Sequence, residues 1–240
     1  MRLLILAALL PVTTACHASW EKDPRTVTPT GAGATRDFAA SGFTAIDLRG
    51  PDDVEVRAGP SFSVRAEGDS AVLDQLKIEV VGDTLRVGRK NLHGLSFSSD
   101  HGAKIYVTLP ALRGALVSGS GDLQVDRAGG DFNGSVAGSG NLSVAALDAR
   151  QTQLSLAGSG DMTLAGKAGQ LSANITGSGD VEADKLVATG ADVSVTGSGS
   201  LKAAVKGNAS VSLVGSGDVE LTSGAKCTVH SVGSGEVRCS

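Results

Sequence analysis

Gly-Ser-Gly occurs seven times in the second half of the chain, at 119–121, 138–140, 158–160, 177–179, 197–199, 215–217 and 233–235. The steps between copies are 19, 20, 19, 20, 18 and 18 residues. Spacing this regular marks one supersecondary unit stacked on its neighbours. Four places after the first Gly of each triplet stand Leu123, Leu142, Met162, Val181, Leu201, Val219 and Val237, all apolar. Two places further come Val125, Val144, Leu164, Ala183, Ala203, Leu221 and Cys239, separated from the first set by Gln124, Ser143, Thr163, Glu182, Lys202, Glu220 and Arg238. This alternation is that of a strand with one buried face. Two places before each triplet lie Val117, Val136, Leu156, Ile175, Val195 and Leu213, and Ser231 is the one exception.

A unit of 18 to 20 residues is too short for a strand, a crossover helix and a return strand, and it lacks the 3.6-residue period of a helix. It is long enough to close one turn of a solenoid in which each strand pairs in parallel with its equivalent about 4.8 Å along the axis. The expected fold is therefore all-β, a single-stranded right-handed parallel β-helix with coils of about 19 residues and a rod roughly 29 Å long over six steps. Gly supplies corner dihedrals that a side chain would forbid, and Ser bonds neighbouring backbone at the bend. A sandwich or propeller is the alternative, but propeller blades need about 40 residues each.

Residues 42–112 are strand-like without a strict repeat. They carry alternating pairs such as Ile46/Leu48, Val54/Val56, Leu85/Val87 and Ile105/Val107, with turn signals at Gly59-Pro60 and Gly82-Asp83. They are expected to form an irregular β-rich part that covers the first of the regular coils over 113–240. The chain has 41% hydrophobic residues and 240 residues in all, enough to bury a sizeable core. A formal charge of −4 and 3% aromatic residues leave neither a cationic surface nor a row of stacking rings, which argues against nucleic acid as a partner.

Met1-Arg2, the apolar run Leu3 to Leu10 and the small residues up to Cys16 read as an export signal over 1–15. The run of eight is well short of the roughly 20 residues of a spanning helix. Thr13-Thr14-Ala15-Cys16 resembles the bacterial lipobox, which implies acylation of Cys16 and, in two-membrane bacteria, an outer-membrane anchor. Thr replaces the usual Leu three places before the Cys, and ordinary cleavage after Ala15 or Ala18 is the alternative. Residues 16–41, with Pro24, Pro29, Gly31 and Gly33 and little apolar weight beyond Val27 and Phe38, are expected to be a flexible tether.

Gly42-Phe43-Thr44-Ala45-Ile46, Val54-Glu55-Val56, Leu85-Arg86-Val87, Val107-Thr108-Leu109-Pro110 and Leu116-Val117-Ser118-Gly119-Ser120-Gly121-Asp122, with the later Gly-Ser-Gly-Asp copies, resemble the bacterial "putative auto-transporter adhesin head GIN domain" family. The resemblance covers about 42–240. It implies an exported β-helical protein, often a lipoprotein, and brings no catalytic residues with it. The last repeat departs from the pattern, with Glu236 in the Asp position and Cys227 and Cys239 in inward slots.

After the triplets stand Asp122, Asn141, Asp161, Asp180, Ser200, Asp218 and Glu236, a mainly acidic ladder. A cation could bridge Asp122, Asp161, Asp180 and Asp218, but Ca²⁺ needs six to eight oxygens around one point. The reading preferred here is that the ladder accepts backbone N–H bonds at the corners and faces water. His17, His93, His101 and His230 are scattered and make no metal set. Gly-x-Gly strings such as Gly31-Ala32-Gly33 do not sit between a strand and a helix, so no cofactor is expected. Cys227 and Cys239, twelve residues apart in an exported chain, are placed to meet across the last coil, with two free buried thiols as the alternative. The sequence ends one residue beyond that coil, and its exposed strand edges suggest self-association. Minimal coils leave no room for a deep cleft, so a non-enzymatic envelope lipoprotein for adhesion, assembly or scaffolding, with an envelope protein or glycan as partner, is expected. An envelope ligand-binding or glycan-binding module is the alternative, and a polysaccharide-active β-helix enzyme stands third.

Overall fold

The computed structural model describes residues 24–90 and 102–240. The export signal, Cys16, His17, His93 and His101 lie outside the described residues.

The repeats wind into a parallel β-solenoid. Leu142–Gly158 pairs in parallel with Met162–Gly177, which pairs in turn with Val181–Gly197. The first glycines of the triplets are successive register partners, from Gly119 through Gly138, Gly158, Gly177, Gly197 and Gly215 to Gly233. Each coil has three sides. The first ends in the triplet, as in Gln153 to Gly158; the second follows it, as in Leu142 to Val144; the third is short, as in Leu147 to Ala149. Register shifts fall at the bends, between the second and third sides at Val144/Leu147, Thr163/Ala165 and Ala183/Val187, and between the third and first at Gly130/Asp131. Such shifts let coils of unequal length keep their glycine corners aligned.

Because side chains alternate along a strand and register is kept between coils, like stacks on like. Leu123, Leu142, Met162, Val181, Leu201 and Val219 form one interior column, each no more than 1% exposed. Burying each such side chain is worth about 1.5–3 kcal/mol, so these columns hold one coil on the next.

The segment 42–112 is more regular than its sequence suggests. Ala45–Gly50 and Asp53–Ala58 pair in parallel with Gly114–Gly119 and Leu123–Val125, and so form a coil of the same solenoid. Thr84–Arg89 and Lys104–Leu109 pair in parallel with that coil and form another below it. Antiparallel strands then cover these: Leu76–Val81 lies on Thr84–Arg89, and Ser63–Glu67 on Lys104–Leu109.

The expectation of a flexible tether over 16–41 fails for its second half. Arg25–Thr26 pairs with Leu76–Val81, Pro29–Thr30 with Thr35–Phe38, and Thr35–Phe38 with Ser63–Glu67, all antiparallel. Phe38 and Ala40 are buried, Val27 packs against the core, and Arg36 pairs with Asp74 at 2.7 Å. Few but well-placed anchors suffice because the underlying sheets offer open edges to pair with. Among the described residues, no helix is long and apolar enough to cross a membrane.

Candidate functional site

The triplet corner explains its own composition. Each first Gly adopts φ between +126° and +143°, a region that disfavours side chains. Its carbonyl accepts two bonds from the next coil: Ser139 and Gly140 both donate to the Gly119 oxygen, at 3.0 and 2.9 Å. A Cβ on the second Gly would collide with the coil beneath, as one on Gly179 would with the Gly160 carbonyl oxygen.

Beside these corners runs the acidic ladder. Asp122 Oδ1 accepts the backbone N–H of Asn141 at 3.2 Å, Asn141 Oδ1 that of Asp161 at 3.0 Å, Asp161 Oδ1 that of Asp180 at 2.9 Å, and Asp180 Oδ1 that of Ser200 at 2.7 Å. Ser200 Oγ, on a shorter side chain, accepts from Asp218 at 3.4 Å, and Asp218 Oδ1 accepts from Glu236 at 2.9 Å. Each side chain thus caps its own equivalent one coil on. Asn and Ser serve as well as Asp because an acceptor oxygen, and not a charge, is what the corner needs. Among the described residues, no three His, Cys, Asp or Glu side chains are grouped to hold a metal ion.

Sequence reasoning missed where the ladder starts. Asp53 Oδ1 accepts the N–H of Asp122 at 3.1 Å, and Gly50, at φ +129°, is the register partner of Gly119. Gly50-Pro51-Asp52-Asp53 is a worn copy of Gly-Ser-Gly-Asp, and its signal was Val54 and Val56 standing four and six places after Gly50, as Leu123 and Val125 follow Gly119. Asp52, fully buried, takes Arg89 Nη2 at 2.7 Å, Arg89 Nε at 3.0 Å and the Ala103 N–H at 2.8 Å. It ties both ends of the 90–103 connection to the corner.

Outside the ladder, between it and the outward row of the second side, lies a groove of about 360 Å³. Asp180, Glu182, Lys202, Asp218, Glu220 and Arg238 are among its lining residues. Arg238 grips Glu236 in a two-pronged pair at 2.6 and 2.9 Å, and the hydrogen bonds and charge of that guanidinium hold the Glu236 carboxyl below its ordinary range. At the opposite end of the same side, Arg57 and then Lys104 depress Glu55 in the same way. These are mixed-charge surfaces open to solvent.

Cys227 and Cys239 are joined by a disulfide with their Cα atoms 6.4 Å apart, linking the first and second sides of the last coil. Their register partners Ala209 and Leu221 are buried, whereas Cys227 is half-buried and Cys239 exposed, since no further described coil lies above them. His230 is exposed on the outer face of the first side.

Residues 42–239 match the family described as "Putative auto-transporter adhesin, head GIN domain". The chain belongs to that family. Among solved structures, this GIN-domain chain is similar to a "putative adhesin" from Bacteroides fragilis, with a TM-score of 0.81 and 20% identity over 88% of this chain and 99% of that one. It is also similar to a "putative lipid binding protein" from Parabacteroides distasonis, with a TM-score of 0.67 and 22% identity over 88% and 98% of the two chains. A "putative adhesin" from Parabacteroides merdae scores 0.67 at 21% identity over 86% and 95%. At such identities the likeness establishes the shared fold of this GIN domain. No curated protein matches the chain.

Proposed function

We propose that this GIN-domain protein is an exported, non-enzymatic lipoprotein, anchored through Cys16 to the outer membrane, whose solenoid presents extended sheet faces for adhesion, assembly or scaffolding in the cell envelope. The observation that carries this reading is where the chain spends its ordered structure: on registered outer faces around an interior filled by columns of side chains. An enzyme of this shape would instead wall a cleft with long loops around convergent acid and base groups. Similar solved structures described as putative adhesins support the reading. The partner is an envelope protein or glycan.

A second reading, capture of a small envelope ligand, is favoured by the groove beside the ladder, where carboxylates alternate with Lys202 and Arg238. The neighbour described as a lipid-binding protein supports that reading at the outer surface, since among the described residues the interior is occupied by columns of buried aliphatic side chains.

The test is a deletion strain complemented with the wild-type gene or with Cys16→Ser. Wild type should sediment with outer membranes and restore attachment to glycan-coated surfaces. Cys16→Ser should appear in the soluble fraction and restore none. Equal attachment by all strains would refute the adhesive role, and soluble wild type would refute the anchor.

A further inference from the structure

The first and second sides of the solenoid differ in charge. The outward row of the second side reads Glu55, Gln124, Ser143, Thr163, Glu182, Lys202, Glu220 and Arg238, of which most are ionised. The first side is different. Over the seven strands stacked from Gly114–Gly119 to Lys226–Gly233, the three outward columns nearest the triplet contain one ionised side chain, Asp192, which accepts from Gln170 Nε2 at 3.0 Å, and Asp131 and Lys226 stand in the next column, at the edge of the side. The central column is Leu116 followed by Ser135, Ser155, Asn174, Ser194, Ser212 and His230. The column nearest the triplet changes along the axis from Ser118, Ala137 and Ala157 through Thr176 and Thr196 to Val214 and Val232. Val214 and Val232, register partners, are 47% and 69% exposed and are two of the three large apolar side chains exposed among the described residues.

We propose that this nearly uncharged face is a docking surface for a second copy of the chain, packed sheet against sheet about 10 Å apart. Three observations select that occupant. A face whose one ionised side chain, Asp192, already accepts from Gln170 strands little charge when buried against itself, whereas burying the second side would be costly. Its short Ser, Ala, Thr and Asn side chains let another sheet approach closely, and the exposed valines gain by being covered. Seven strands about 4.8 Å apart and five residues about 3.3 Å apart give a face of roughly 34 by 17 Å. Two such faces remove more than about 1,100 Å² from water, above the ~1,000 Å² that a specific interface needs. A copy carrying a net charge of −4 would meet carboxylates of its own sign at the ladder and the groove, so the neutral side is where like meets like most cheaply.

The experiment is sedimentation equilibrium on the full chain carrying Cys16→Ser, so that no acyl group drives association. The expected result is a reversible monomer–dimer equilibrium. Asn174→Arg and Ser212→Arg, each placing a cation on the face opposite its own copy, should weaken the dimer at least about a hundredfold. Thr163→Arg, outward on the second side, should leave it unchanged. All four proteins should keep the same circular dichroism spectrum, and the two face variants check each other should either fail to fold. A monomer at every concentration, association indifferent to both face variants, or equal weakening by Thr163→Arg would overturn the assignment.

Discussion

Residues 24–109 and residues 114–239 stack strands in the same solenoid but lock them together differently. In the first region, ion pairs run between coils, Asp52 with Arg89, Asp47 with Arg86 at 3.7 Å and Glu55 with Lys104 at 3.3 Å, and within the cap, Arg36 with Asp74. In the second, glycine carbonyls and the short polar ladder make the connection, and the ion pairs Arg150–Asp131 and Arg238–Glu236 are exposed additions. Repetition explains the contrast. Where every coil is equivalent, one column repeats the same residue type and offers no unlike charge one coil away, so the ladder's mainly acidic side chains connect coils by accepting backbone N–H bonds. Where coils are interrupted, each insertion needs its own anchor, and unlike charges supply specific pairings.

The contrast should break first at Asp52. Asp52→Ala removes a fully buried carboxylate from Arg89 and from the Ala103 N–H, and should cost about 3–5 kcal/mol in chemical denaturation. A loss under about 1 kcal/mol would mean that the first region does not depend on this ion pair. In the repeats, the equivalent weak point is a glycine. Gly158→Ala forces a side chain into φ +130° and against the Gly138 carbonyl, and should cost about 2–4 kcal/mol while leaving ion-pair salt dependence untouched.

How far each region was legible follows from the same difference. The repeats announced themselves because Val, Leu and Ile recur at fixed offsets from Gly-Ser-Gly, and because one period sets both corner and core. Residues 42–112 hid two coils. Their parallel-paired strands are separated by the excursion through Ser63–Glu67 and Leu76–Val81 and by the 90–103 connection, so no fixed spacing survives, and Pro51 and Asp52 replaced Ser and Gly at the corner. The cap strands Arg25–Thr26 and Pro29–Thr30 are two residues each and carry no periodicity to read. In the ladder, acceptor chemistry was legible from Asp, Asn and Ser sharing one position, whereas its start at Asp53 was visible only once Gly50 stood beside Gly119.

Smaller effects sharpen the picture of the second region. Opening the Cys227–Cys239 bridge with paired Ser substitutions should cost about 2–3 kcal/mol, confined to the last coil. Hydrogen exchange should show Lys226–Gly233 losing protection while Leu142–Gly158 keeps it, and uniform loss would show that the solenoid melts as one unit. Asp161→Ala deletes one ladder acceptor and should cost about 1 kcal/mol, whereas Asp161→Asn should be close to neutral. If Asp161→Asn matched the alanine variant, charge and not hydrogen bonding would be the ladder's purpose.

The central claim, that each repeat advances one coil along a common axis, is tested by spin labels at the corner serines. In a Cys16→Ser background, Ser139 would be labelled together with Ser198, Ser216 or Ser234 in turn, and the distances measured by pulsed electron resonance. The solenoid predicts separations that rise with each added repeat by about 4.8 Å, from about 14 to 19 to 24 Å. Distances that alternate, or that stay level as repeats are added, would contradict it.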